Sequence, residues 1–129
     1  AERKRQEEAE RKRQEEAERK RQAEEERRRR EMLATEQRQR AKDEYIAMIR
    51  YAVERNWRRP EGERRGQKAV VFVRQAPGGF IQHVRVEQCD GTPVFCNSVE
   101  QAVRRADPLP DPPDPEVFER EIRFVFEPD

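Results

Sequence analysis

The first 59 residues contain neither glycine nor proline, and more than half of them are charged. An octapeptide, A-E-R-K-R-Q-E-E, opens the chain, occurs twice and then recurs as A-E-R-K-R-Q-A-E. Opposite charges lie four positions apart in it, as in Arg3 and Glu7, and each such pair adds about 0.2–0.5 kcal/mol to a helix. The repeat is also built from residues with high helix propensity. It predicts a long charged helix over residues 1–42.

This charged segment lacks the features of two common kinds of long helix. No apolar seam at 3.5-residue spacing runs through it, which argues against a coiled coil. The run Arg27 to Arg30 is flanked by Glu24 to Glu26 and by Glu31, and no aromatic residue interrupts it, so we expect no nucleic-acid binding. A spacer that carries a domain is the favoured interpretation, and a disordered charged segment is the alternative.

The charges divide the chain into two domains. Residues 1–42 carry 16 basic and 12 acidic residues, whereas residues 43–129 carry 13 and 16 and hold nearly all the aromatic side chains. We therefore expect a stalk, 1–42, followed by one small domain, 43–129. No apolar stretch reaches the roughly 20 residues that cross a bilayer. Since the chain starts inside the repeat, we expect it to be a fragment whose membrane anchor precedes it.

The small domain begins with an amphipathic helix and a hairpin. Apolar residues recur at three- and four-residue spacing from Tyr45 to Trp57, and the helix should end before Pro60. Residues 68–75 then predict a first strand (β1), 76–79 a tight turn, and 80–87 a return strand (β2).

The rest of the domain predicts one more helix and one more strand. Asn97 and Glu100 have the spacing of a helix N-terminal capping box, and that helix should run to about Ala106. Residues 108–115, P-L-P-D-P-P-D-P, predict an extended polyproline-like segment, followed by one helical turn within 116–120. Alternating apolar residues over 122–127 predict the third strand (β3).

These elements predict an α+β fold: a long charged helix leads into a three-stranded antiparallel sheet packed by helices. Since a crossover helix returns the chain to the sheet, β3 is expected beside β1, in the order β2-β1-β3. The strands β2 and β3 are then edges with unpaired backbone groups, and such edges are liabilities unless they are used.

The only two cysteines, Cys89 and Cys96, bracket a loop that contains Asp-Gly and Pro. A zinc site needs about four ligands, and the chain offers two cysteines and one histidine. The spacing is too long for a thioredoxin-type redox pair. We predict a structural disulfide and therefore an oxidising compartment; two reduced thiols in a cytosolic protein are the alternative.

No arrangement of residues in the sequence indicates catalysis. There is no nucleophile elbow, phosphate-binding glycine loop or metal-ligand cluster. His83 lies in a strand and is expected to be a half-exposed strand residue. Asp111 and Asp114 lie among prolines, where nothing tunes a carboxylate for acid–base work. We expect no enzyme activity and no cofactor.

Three stretches resemble the C-terminal part of the TolA family. They are N-W-R-R-P (56–60), the hairpin V-F-V-R-Q-A-P-G-G-F-I-Q-H-V-R-V (71–86), and the stretch from F-C-N-S-V-E-Q-A to the final F-V-F-E-P (95–128). The charged helix in front is also the family's arrangement. Many relatives have other residues where Cys89 and Cys96 stand, so this cysteine pairing rests on the present sequence alone.

The resemblance implies a periplasmic protein attached to the inner membrane by an N-terminal segment. It implies binding to TolB and other Tol-Pal proteins such as Pal, coupling to the proton-motive force through TolQ and TolR, and support of outer-membrane constriction during division. Colicins and filamentous-phage coat proteins exploit members of this family.

The predicted partner site is an open sheet edge that accepts an added strand. The first candidate edge comprises Glu121, Ile122, Arg123, Phe124, Val125 and Phe126. The second comprises Phe80, Ile81, Gln82, His83, Val84, Arg85, Val86 and Glu87. As an alternative, the charged residues of these strands only protect the edges from aggregation.

Two other functions stay open at this point. A TonB-type domain would share the fold and bind the N-terminal box of an outer-membrane transporter. A cytosolic spacer with an RNA-binding domain would instead have free thiols and salt-sensitive RNA retention.

Overall fold

The computed structural model describes residues 1–62 and 64–128 of the chain. It divides into two units, Ala1–Gln39 and Arg40–Asp129. In chain order the elements are α1 (Glu2–Arg55), β1 (Lys68–Ala76), β2 (Phe80–Asp90), α2 (Pro93–Arg105), a 3₁₀ turn (Pro115–Val117) and β3 (Glu121–Phe126).

The first unit is helical and solvent-exposed throughout its described residues. Pairs of opposite charge one turn apart line it, among them Arg11–Glu15 at 4.0 Å and Arg30–Glu26 at 2.7 Å. Exposed pairs of this kind each contribute little, and the helix depends on their number. The charged repeat and the amphipathic segment that begins near Asp43 belong to one helix, α1.

The second unit is an α+β domain with helices on one face of a three-stranded sheet. The strand order is β2-β1-β3 and both pairings are antiparallel, as predicted. The core lies between the sheet and the helices and includes Tyr45, Ile49, Val53, Phe95, Val99, Val71, Val73, Phe124 and Phe126. Trp57 packs edge-on against two of these rings, with centroid distances of 6.2 Å to Phe95 and 5.6 Å to Phe126.

The two strand pairings differ in regularity. β1 and β3 pair without interruption from Ala69↔Phe126 to Arg74↔Glu121. The pairing of β1 with β2 is shifted twice, between Val70 and Val71 and again between Arg74 and Gln75. Bulges of this kind bend and twist a strand, so β2 is the more distorted of the two edge strands.

The predicted start of the second helix is wrong by several residues. α2 begins at Pro93, and its N-cap is Thr92, whose Oγ1 accepts a hydrogen bond from the Phe95 N–H at 3.2 Å. Proline suits the first helical position because its missing N–H would have no partner there. Glu100 bonds to Arg104 instead of capping the helix, and Cys96 lies inside the first turns of α2 rather than before it.

Candidate functional site: the free edge of the sheet

The free edge of β3 exposes a regular row of backbone groups. The Gln75 N–H donates to the Arg120 carbonyl at 2.8 Å, which sets the phase of the ladder between β1 and β3. In an antiparallel pair, alternate residues turn their N–H and C=O toward the partner strand. The backbone groups of Ile122, Phe124 and Phe126 therefore face β1, and those of Glu121, Arg123 and Val125 face away from the sheet.

The side chain of Arg50 reaches this edge from α1. Its Nε donates to the Val125 carbonyl at 3.0 Å. At the other end of the strand, the Lys42 Nζ lies 4.0 Å from the Glu119 Oε1. Two cationic side chains of α1 therefore flank β3, and one of them occupies a backbone acceptor of the edge.

The start of β3 is fixed by a buried polar contact. Gln75 is fully buried, and its Nε2 donates to the Glu119 carbonyl at 2.9 Å and to the Tyr45 hydroxyl at 2.7 Å. Burial raises the pKa of Tyr45 above its ordinary value; the hydrogen bond from Gln75 acts in the opposite direction, and the charge of Asp111 raises the pKa further. These bonds join Tyr45 of α1 and Gln75 of β1 to Glu119, which lies just before β3.

Both ends of β2 are tied to other parts of the domain. At its start, the Ile81 N–H donates to the Asp107 Oδ1 at 3.1 Å, and the Leu109 N–H donates to the Gly79 carbonyl at 2.7 Å. At its end, Cys89 is bonded to Cys96 of α2. The segment between α2 and the 3₁₀ turn therefore covers the part of β2 nearest the hairpin.

The close approach at Gly79 requires glycine. Its φ is +84°, and a Cβ at this position would lie 2.0 Å from the Leu109 carbonyl oxygen. A side chain is therefore excluded both by the backbone conformation and by lack of space. The hairpin turn and the cover over β2 depend on the same residue.

Side chains of the first candidate edge alternate between the core and the outer face of the sheet. Ile122, Phe124 and Phe126 are buried in the core. Glu121, Arg123 and Val125 are exposed. An added strand at this edge would therefore contact charged side chains and Val125 on the outer face.

In the second candidate edge, Val84 is buried and both Ile81 and Val86 are partly buried against the core. The remaining side chains are exposed: Phe80, Gln82, His83, Arg85 and Glu87. The ring of His83 lies 6.2 Å from that of Phe72 and belongs to an exposed strand residue.

The outer face of the sheet carries a covered aromatic ring. Phe72 is only 4% exposed, and the guanidinium carbons of Arg74, Arg85 and Arg123 lie 5.9, 5.2 and 4.8 Å from its centroid. Glu87 accepts hydrogen bonds from Arg123 and Arg85, which lower the pKa of its carboxyl group. Glu87 thus holds Arg85 and Arg123 over Phe72, and Glu121 holds Arg74, with the cations at cation–π distance from the ring.

The disulfide predicted from the sequence is present in the structure. The Cα atoms of Cys89 and Cys96 lie 6.1 Å apart, within the ordinary range for a disulfide. Both residues are partly buried against the core. A disulfide fits an oxidising compartment.

Neither a metal-ion cluster nor a membrane-spanning helix occurs among the described residues. No three His, Cys, Asp or Glu side chains come together there in a way that could hold a metal ion. Among the same residues, no helix combines the length and the low polarity needed to cross a membrane.

Two features of the site were not predicted from the sequence. The contact of Arg50 joins residues 75 positions apart, and no local pattern indicates it. The arginine cover over Phe72 could have been predicted. Strand alternation places Phe72 and Arg74 on the same face of β1, and Arg85 is the cross-strand neighbour of Phe72 on β2.

Comparisons with known proteins agree with this architecture. The family model described as TonB C terminal matches residues 42–126. No curated protein gives a significant match.

Two solved structures are similar to the chain. One is the solution NMR structure of TolAIII bound to a peptide derived from the N-terminus of TolB. It shares 26% sequence identity over 65% of this chain and 72% of that chain, with a TM-score of 0.55. The other is the NMR structure of the TonB C-terminal domain of Helicobacter pylori. It shares 13% sequence identity over 66% of this chain and 92% of that chain, with a TM-score of 0.49. With a family model matched over most of its length, the chain belongs to the TonB C-terminal family, and its second unit is a TolA/TonB-like C-terminal domain.

Proposed function

We propose that this chain is a non-enzymatic binding protein whose domain accepts an extended partner segment as a fourth strand beside β3. The observation that carries the proposal is the difference between the two edges. β3 is regular and turns the backbone of Glu121, Arg123 and Val125 outward, whereas β2 is bulged and its Ile81 N–H is bonded to Asp107. Strand addition needs a straight run of unpaired backbone groups, which β3 offers.

The partner we propose is the N-terminal segment of a TolB-like protein. The solved TolAIII structure that resembles this domain contains such a peptide. The exposed groups of Glu121 and Arg123, with the Val125 N–H, offer about five backbone hydrogen bonds of roughly 0.5–1.5 kcal/mol each. Since ordering an extended segment opposes this gain, we expect an affinity in the micromolar range.

The proposed setting is the periplasm, where the disulfide is stable. There the domain would act in a Tol-Pal system, with Pal, TolQ and TolR as further members, and couple inner-membrane energy to the outer membrane during division. A colicin or a filamentous-phage coat protein that binds this domain would compete for the same edge.

A TonB-type function is the second candidate, and the match to the TonB C terminal model favours it. In that case the added strand comes from the N-terminal box of an outer-membrane transporter. The two functions use the same edge and differ in the sequence of the partner segment.

Amide-shift titration of the labelled chain tests the proposal. The probes are the N-terminal peptide of TolB and a transporter box peptide, both from the species that carries this chain. We expect the TolB peptide to shift residues 121–126. Shifts from the box peptide alone would favour the TonB-type function, and shifts confined to residues 80–87 would place the site on β2. Absence of shifts with either peptide at millimolar concentration would overturn strand addition.

A pair of substitutions at one position isolates the role of the backbone. In Arg123→Pro, the outward N–H of the edge is removed while the ladder to β1 keeps its bonds. Arg123→Ala removes the same side chain and keeps the N–H. We expect the proline variant to bind the TolB peptide at least tenfold more weakly than the alanine variant. Equal affinities would show that the β3 backbone does not pair with the peptide.

A further inference from the structure

The guanidinium group of Arg50 lies at the end of the β3 edge. Its Nε bonds to the Val125 carbonyl at 3.0 Å. A guanidinium has five N–H donors in a rigid fork, and this bond uses one of them. Among the described residues, no carboxylate lies within 4.0 Å of the Arg50 nitrogens.

Neighbouring cations of the sheet differ from Arg50 in this respect. Arg74 is paired with Glu121 at 3.3 Å, and Arg123 with Glu87 at 3.0 Å. Lys42 lies 4.0 Å from the Glu119 carboxylate. The one hydrogen bond described for Arg50 goes to a backbone oxygen, which orients the guanidinium; among the residues that the structure describes, its charge has no carboxylate partner.

We propose that Arg50 is a carboxylate-binding residue that selects partner segments with an acidic side chain at one fixed position. The proposal rests on the proposed function, since it concerns the segment that adds to β3. A planar guanidinium with free Nη donors matches a carboxylate in a bidentate arrangement, and such charge-assisted bonds are about twice as strong as neutral ones.

The position of the acidic residue follows from the edge itself. Because Arg50 already occupies the Val125 carbonyl, a partner strand can pair with Glu121, with Arg123 and with the Val125 N–H only. The ladder therefore ends at Val125, and the residue of the partner that lies opposite Val125 is nearest to the Arg50 fork. An aspartate or glutamate there gains a partner without displacing the existing bond.

Selection from displayed peptides tests this without a known partner. Random twelve-residue peptides, fused at both ends so that no free terminus is present, are selected on the full chain and on its Arg50→Gln variant. Arg55→Gln is the matched control, because Arg55 lies on the same helix and its guanidinium stacks on Tyr51, 5.5 Å from the ring centroid. Binders that shift residues 121–126 are retained.

We expect acidic residues to be enriched at one position in binders to the wild type and to the Arg55→Gln control, and not in binders to Arg50→Gln. For one selected peptide, replacing the acidic residue by its amide should weaken binding to the wild type about tenfold. The same replacement should have little effect on the Arg50→Gln variant, since coupled groups give non-additive losses.

Two results would overturn this proposal and leave strand addition at β3 in place. One is equal enrichment of acidic residues on the wild type and on Arg50→Gln; the other is an amide replacement that weakens binding to both proteins equally. If no selected peptide shifts residues 121–126, strand addition at β3 fails and this proposal fails with it. Binding at β3 with no dependence on Arg50 would overturn this proposal alone.

Discussion

Gly79 combines two demands that only glycine meets, a φ of +84° and a contact with the Leu109 backbone. We expect Gly79→Ala to destabilise the domain by about 3 kcal/mol or more, because left-handed strain of about 1 kcal/mol adds to a backbone clash. Gly62→Ala is the control, since Gly62 has a φ of +73° and open space around it; its cost should be about 1 kcal/mol. Urea unfolding measures both, and equal losses would show that the Leu109 contact can relax.

Tyr45 makes the stability of the domain depend on pH in the alkaline range. Its pKa is raised in the folded state, chiefly by burial. Above about pH 10, the ordinary pKa of tyrosine, the unfolded chain releases the hydroxyl proton while the folded chain retains it. The free energy of unfolding therefore falls as the pH rises from about 10 toward the folded-state pKa.

The variant Tyr45→Phe should lose this component of the pH dependence. At neutral pH it should be about 1 kcal/mol less stable, because the Gln75 amide loses one of its two acceptors. The difference from the wild type should shrink as the pH rises above 10. Urea unfolding from pH 7 to 11 measures it, and a constant difference would contradict a raised pKa at this residue.

At the scale of elements, the disulfide joins the end of β2 to the first turns of α2. The loop that it closes spans eight residues, so its loss should cost about 2.5 kcal/mol in the chain-entropy account. We expect a reducing agent, or Cys89→Ser with Cys96→Ser, to lower the urea midpoint by the corresponding amount. An unchanged midpoint would mean that the surrounding packing already fixes β2 against α2.

Strands and their order could be predicted from the sequence because each strand alternates clearly and the hairpin has glycine in its turn. The start of α2 could not, since a Thr-Pro cap competed with an Asn-to-Glu spacing and the local signals did not decide between them. The sequence ranked the β3 edge first, but the structural reason to prefer it over β2 could not be predicted. That reason depends on Asp107, which bonds to Ile81 of β2 only after the chain has folded back.

At the scale of the whole chain, the structure divides into two units, Ala1–Gln39 and Arg40–Asp129. Residues of the first unit contribute no buried side chain, and their carboxylates and cations pair along the helix. Every buried apolar residue and every group of the candidate site belongs to the second unit. Substitutions within residues 1–39 therefore leave the chemistry of the site unchanged.

The contact that Asp107 makes with β2 and the bulges of that strand also bear on assembly. A sheet with two regular free edges can be extended on both sides, and copies of such a domain join into open-ended polymers. This sheet has one regular free edge. If β3 accepts a strand as proposed, the domain takes one strand from one partner, and two copies that met through β3 would form a closed dimer with no regular edge left to extend.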